Sequence, residues 1–177
     1  MKKLFLIFVI IFTGCTSTLL NTPTKKVEMF FNKYQSLDDD VVSQLKSVVD
    51  NEISFTKEQG LNYIEIMKRH YQSLKYKIKD EVINGDTAIV TTEIEVNDYS
   101  KILKDADEYL EKHKEEFIKN DKIDETLFNE YRLNKLKDAS DRVKYTIDLT
   151  LTKIDDKWEL DEVSRDNKDK IQGIYSK

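Results

Sequence analysis

The chain has one cysteine, one proline, four glycines and two histidines among 177 residues, and each shortage closes off a kind of chemistry. With Cys15 alone, no disulfide can form within the chain. Four glycines leave little room for a phosphate-cradling loop, and no serine stands in a Gly-x-Ser-x-Gly nucleophile turn. The histidines, His70 and His113, each lack a second histidine at i+3 or i+4, so no helical metal-binding pair exists. Proline and glycine do not gather into a linker, and neither repeats nor low-complexity tracts divide the chain. The longest apolar run, residues 4–12, would reach ~13 Å as a helix, well short of a ~30 Å hydrocarbon core.

That run has a different use. Met1-Lys2-Lys3 gives it a basic start, and Phe12-Thr13-Gly14-Cys15 closes it with small residues and the cysteine. This order is that of a signal peptide rather than a span, and it resembles a bacterial lipoprotein signal. Cleavage would fall between Gly14 and Cys15, with diacylglycerol carried by the Cys15 thiol. Residues 1–14 are then the signal, residues 15–22 a tether, and residues 23–177 a single α+β domain. Two acyl chains hold durably where one is marginal. The mature chain carries 27 Lys+Arg (29 less Lys2 and Lys3) against 34 Asp+Glu, a net −7, which suits neither anionic lipid nor nucleic acid. The expected place is the cell membrane, outside the cytoplasm, with lipid rather than charge as the attachment. A tether of about eight residues spans less than ~30 Å, so the fold stays near the surface.

Three helices are expected first. Thr22-Pro23 is a cap followed by proline at the first helical position, leading the stripe Val27, Phe30, Phe31, Tyr34. Asp38-Asp39-Asp40 starts a second helix with Val41, Val42, Leu45, Val48 and Val49, the carboxylates favouring the positive end of its dipole. Thr56 with Gln59 forms a capping box for a third, through Leu61, Ile64, Met67 and Tyr71. A hairpin follows. Leu74, Tyr76, Ile78 and Val82 alternate with Lys75, Lys77, Lys79 and Glu81, and Ala88, Val90, Thr92, Ile94 and Val96 alternate with Thr91, Glu93 and Glu95. Asn84-Gly85 supplies the turn. Residues 98–139 read as a helical insertion, with Ile102, Leu103, Ala106, Tyr109, Leu110, His113 and Phe117 on one helical side. A break follows at residues 119–122, then a second helix bearing Leu127, Tyr131 and Leu136. The sheet resumes over Val143, Tyr145, Ile147, Leu149 and Leu151, turns at Asp155-Asp156, and ends on Trp158 and Leu160. The polar tail from Ser164 on carries Ile171, Ile174 and Tyr175, room for a short helix at most.

The fold class is therefore α+β: N-terminal helices packed on a curved antiparallel sheet, with a helical insertion between strands. Thr22-Pro23 opening an aromatic-striped helix, Tyr76-x-Ile78, Asn84-Gly85-Asp86-Thr87-Ala88-x-Val90 and Lys157-Trp158-x-Leu160 together resemble the nuclear transport factor 2-like superfamily, a cystatin-like α+β cone. The resemblance is nearer to bacterial surface lipoproteins of that superfamily, and it covers most of residues 22–162. It implies a sheet wrapped around a helix with a pocket at the open end. That pocket holds a catalytic site in some members and a binding or dimer surface in others. The insertion departs from the minimal pattern.

No catalytic residue, metal ligand or cofactor is identified. An isomerase-like site needs an aspartate base and a tyrosine donor in an apolar pocket. Asp98, Asp148, Tyr76 and Tyr145 supply the types, but spacing places none against another. The aromatic residues of the insertion are expected to pack on the sheet. Where exposed, Tyr99, Tyr109, Phe117, Phe128 and Tyr131 with His113 would form an apolar contact site for a protein or small-molecule partner. The expected function is a lipid-anchored, non-catalytic binding domain, monomer or homodimer. The alternative is a small cone-fold enzyme acting on an apolar metabolite. Thr146, Thr150, Thr152 and Lys144 make the outer sheet face polar, which argues against a tight apolar dimer there.

Overall fold

The computed structural model describes residues 21–176, so Gly14, Cys15 and the lipidation expected of them lie outside the described residues. Six α-helices and a four-stranded antiparallel sheet make an α+β fold. Among the described residues no helix is long and apolar enough to cross a membrane.

The capping chemistry sets the first elements. Helix α1 (Pro23–Ser36) begins with Thr22 Oγ1 accepting from Lys25 N, and α2 (Asp39–Asn51) with Asp38 accepting from Asp40 N. Helix α3 (Lys57–Ser73) carries the complete capping box of Thr56 and Gln59. It runs into β1 (Lys75–Asn84), which pairs with β2 (Thr87–Asn97). Their turn centres on Gly85-Asp86 rather than Asn84-Gly85, because Asn84 still pairs with Thr87. Gly85 has φ 60° at the first central position, the glycine placement of a type II′ turn.

Strand β1 also changes phase. The register shifts between Ile78 and Asp80, a bulge with Lys79 as the extra residue. A one-residue shift swaps faces. Val82, expected beside Tyr76 and Ile78, instead lies opposite Ile89 on the outer face and is exposed, while Glu81 lies opposite Val90 on the helix side. There Glu81 Oε2 accepts from Thr24 N at 2.8 Å, so the bulge gives α1 a carboxylate at its N-terminus.

After β2 come α4 (Tyr99–Lys112), a 3₁₀ turn (Lys114–Phe117), the two-residue strands β3 (Ile118–Lys119) and β4 (Lys122–Ile123), and α5 (Glu125–Lys137). The expected break at 119–122 is thus a miniature hairpin, with Asn120 and Asp121 both at positive φ. Strands β5 (Arg142–Ile154) and β6 (Lys157–Leu160) complete the sheet in the order β1-β2-β5-β6. Helix α6 (Arg165–Gln172) follows Ser164 as its cap.

One face of the sheet, formed by Val90, Ile94, Val96, Ile147, Leu149 and Leu151, packs against Val27 and Phe31 of α1, Met67 and Tyr71 of α3, and Ile171 of α6. Each such burial is worth ~1.5–3 kcal/mol before chain entropy is counted. Phe31 stacks on Tyr76 with centroids 4.8 Å apart. In α3, Leu61 is exposed, so that stripe begins at Ile64. Strand β6 covers only the end of β5. Beyond it, Asp161 N donates to Thr150 O, and Asn167 Nδ2 of α6 donates to Asp148 O.

Candidate functional site

Apart from Tyr99, the insertion does not lay its aromatics on the sheet. Ala106 of α4, Phe117 and Phe128 form a second, smaller core with Tyr109, Leu110 and Tyr131. Tyr109 stacks on His113 at 4.0 Å and on Tyr131 at 4.8 Å, and Phe117 meets Phe128 edge-on at 5.4 Å. The physical reason is α5, which is apolar on two sides. Phe128 and Tyr131 turn to this cluster, whereas Leu133 and Leu136 turn to the main core and leave Leu127 exposed. Tyr99 stands apart from the other five, buried in the main core and stacked on His70 at 4.7 Å. Phe117 and Phe128 are buried as well, while Tyr109, His113 and Tyr131 are half-buried. His113 Nδ1 lies 3.1 Å from Tyr109 O, and the Tyr109 hydroxyl donates to Glu116, whose carboxylate raises its pKa.

Where the two cores meet, α3, α5 and the chain after α6 enclose a cavity of about 250 Å³. Tyr63 and Met67 of α3, Tyr99, and Leu133 and Leu136 of α5 make most of its apolar wall, and Arg132 and Asn129 bring polar groups. Burial raises the pKa of both Tyr63 and Tyr99, keeping the phenols neutral. Asn129 Nδ2 donates to Ser54 Oγ at 3.0 Å, and Gln59 Nε2 donates to Thr126 O at 2.8 Å, which ties the start of α3 to α5 around the opening.

Arg132 is the unusual member. One terminal nitrogen pairs with Asp107, and the guanidinium carbon sits 4.3 Å from the centre of the Phe128 ring. Its Nε is buried and has no acceptor. A buried donor without a partner costs ~1–3 kcal/mol. Arg132, Tyr63 and Asn129 were not legible as site residues from spacing, although Phe128 and Arg132 stand one helical turn apart. A larger depression beside α4 and α5 is open and lined by Lys101, Lys104, Asp107, Glu108 and Glu111, the mixed charge of a solvated helix face.

The residues considered for isomerase chemistry are spread out. Asp98 caps α4, accepting from Ser100 Oγ and Lys101 N, and Asp148 accepts from Thr91 Oγ1 on the outer sheet face. The Tyr76 hydroxyl donates to Asn32 Oδ1, and that of Tyr145 donates to Tyr175 O. None of these four lines the cavity. Among the described residues, no group of three His, Cys, Asp or Glu side chains is placed to hold a metal ion.

No protein-family model matches the chain. No curated protein matches it either. Among solved structures, a candidate lipoprotein (ycdA) from Bacillus subtilis aligns with it at 15% sequence identity and a TM-score of 0.48, over 79% of this chain and 47% of that one. The chain thus spans about half the length of that structure.

Proposed function

We propose that this is a lipid-anchored protein outside the cytoplasm that binds a small ligand, with an apolar body and one hydrogen-bond acceptor, in the cavity beside Arg132. The anchor reading is supported by the order of Lys2-Lys3, the apolar run and Gly14-Cys15. The ligand reading is carried by one observation: Arg132, whose Nε is buried without an acceptor, is among the side chains lining a cavity walled by Tyr63, Tyr99 and Met67. A carboxylate or carbonyl oxygen in the cavity pairs with the Arg132 guanidinium, and the tyrosines and Met67 cover the rest of the molecule. The nuclear transport factor 2-like resemblance belongs to the same reading, supported by α1 and α3 lying on one face of an antiparallel sheet. Non-catalytic binding is favoured because Asp98 and Asp148 are engaged away from the cavity.

Native mass spectrometry of the full chain, extracted from its membrane in mild detergent, tests both parts. The expected spectrum shows an acylated Cys15 and a further non-covalent mass, and Arg132→Met loses that mass while keeping the acyl group. A chain without acyl groups overturns the anchor. A wild-type chain that carries no added mass and gains no thermal stability from a panel of small carboxylic acids overturns the ligand site.

A further inference from the structure

We infer that the turn end of the sheet rests on the membrane that holds Cys15, with the lipid surface covering Val82, Ile83, Ile89 and Ile154. This rests on the anchor reading above, and its occupant is a lipid surface.

Three observations meet at that end. First, the described chain begins there. Asn21 Nδ2 donates to Asp156 O at 2.8 Å, and Asn21 Oδ1 accepts from Trp158 N at 3.0 Å, pinning the residue before the Thr22 cap of α1 to the β5–β6 turn. Thr24 N is held by Glu81 of β1. From Asn21 back to Cys15 is six residues, a reach of at most ~20 Å when fully extended. Whatever lipid Cys15 carries is therefore held within that distance of the β5–β6 turn.

Second, the exposed apolar side chains gather at the same end. Four of the eleven exposed large hydrophobics among the described residues are here: Val82 (56% exposed), Ile83 (52%), Ile89 (45%) and Ile154 (50%). The bulge in β1 is what turns Val82 outward to face Ile89 directly, and Ile154 shares their outer face by its period with Thr150 and Thr152. Ile83, opposite Ala88, faces the helix side at the same end, so exposed apolar side chains flank the tip on both faces.

Third, the two turns form one rim. Lys153 N donates to Asp86 O at 2.8 Å, joining the β1–β2 turn to the β5–β6 hairpin. Asp86, Asp155 and Asp156 stand on that rim, so charge does not draw it to anionic lipid. The contact is apolar, and zwitterionic lipid suffices because the anchor supplies the local concentration.

The test uses the full acylated protein on phosphatidylcholine vesicles, with Ile154→Cys carrying an environment-sensitive fluorophore and Lys144→Cys as the control. Both positions lie on the outer face of β5, ten residues or ~33 Å apart. The acyl thioether consumes the Cys15 thiol, leaving one site to label. The expected result is a blue-shifted emission at 154, a several-fold fall in iodide quenching relative to 144, and quenching at 154 by spin-labelled phosphatidylcholine. An acylated protein whose two sites are equally quenched by iodide overturns the docking and leaves the anchor standing. A label at 154 shielded from iodide but untouched by spin-labelled lipid shows that the chain itself, or a second copy, covers the patch, and overturns the inference. A protein lacking acyl mass overturns both readings.

Discussion

Protonating His70 should weaken the fold between pH 6.5 and 4. The ring is fully buried. Nε2 lies 2.8 Å from Ile171 O and donates to it, while Nδ1 has no partner. Adding a proton to Nδ1 would place a second, unpaired donor and a charge in the core. Burial, with the Arg142 charge as a smaller contribution against the Ile171 hydrogen bond, lowers the pKa from 6.5 to about 4. The neutral ring is the form that fits, so its contribution is complete above pH 6.5 and is lost as pH falls toward 4. That difference is worth ~3 kcal/mol in full, and roughly 2 kcal/mol of it is gone by pH 5. Glu93, Glu95 and Asp141 are held below the usual carboxylate range by neighbouring side-chain partners, chiefly Lys79, Lys75 and Lys101, so they contribute at lower pH. Urea unfolding at pH 7.5, 6 and 5 for wild type and His70→Gln isolates the effect. The glutamine variant keeps an N–H for Ile171 O but cannot titrate. The stability advantage of wild type should shrink by about 2 kcal/mol between pH 7.5 and 5. Parallel pH profiles would refute the assignment of a buried neutral ring.

Gly173, at φ 73°, ends α6 where an added Cβ would run into Asn97 O and the His70 ring. Gly173→Ala should therefore cost about 3 kcal/mol in thermal or urea unfolding, and a loss below ~0.5 kcal/mol would contradict that packing. Phe117→Ala removes the centre of the insertion core and should cost about 3–4 kcal/mol. Hydrogen exchange should then quicken in residues 99–137 well before it quickens in β2 and β5. Asp155 and Asp156 both sit at positive φ, so Asp155→Asn with Asp156→Gly should raise stability by about 1 kcal/mol in the same unfolding assay.

Local rules carried the fold a long way. Thr22-Pro23, Asp38 and the Thr56 and Gln59 box each announce a helix start through chemistry that acts within four residues. The alternation in β2 and β5 has one buried face throughout, so period and burial agree. Local rules fall short where a choice is settled at long range. The bulge at Lys79 depends on β1 pairing with β2 while also meeting Thr24, and nothing in residues 74–83 distinguishes the two phases of Val82 and Ile83. Spacing gives one stripe per helix in the insertion, but α5 serves two cores, and that is decided by what α3 and α4 offer on either side. The cavity was invisible for the same reason: Tyr63, Tyr99 and Arg132 come together only when three helices dock.

The outer edge of β1 has a consequence for crowding. Among the described residues no strand pairs with its far side, so a row of backbone donors and acceptors is left open for a neighbouring chain. Two copies meeting there would bring Lys75, Lys77 and Lys79 of each against the other, and the bulge breaks the straight ladder that such an addition needs. Glu93 and Glu95 already engage Lys79 and Lys75 from within their own sheet, so they are not free to neutralise an incoming strand. Lys77, without an ion pair among the described residues, and the bulge thus hinder addition at this edge, letting many copies stand side by side without knitting into a continuous sheet.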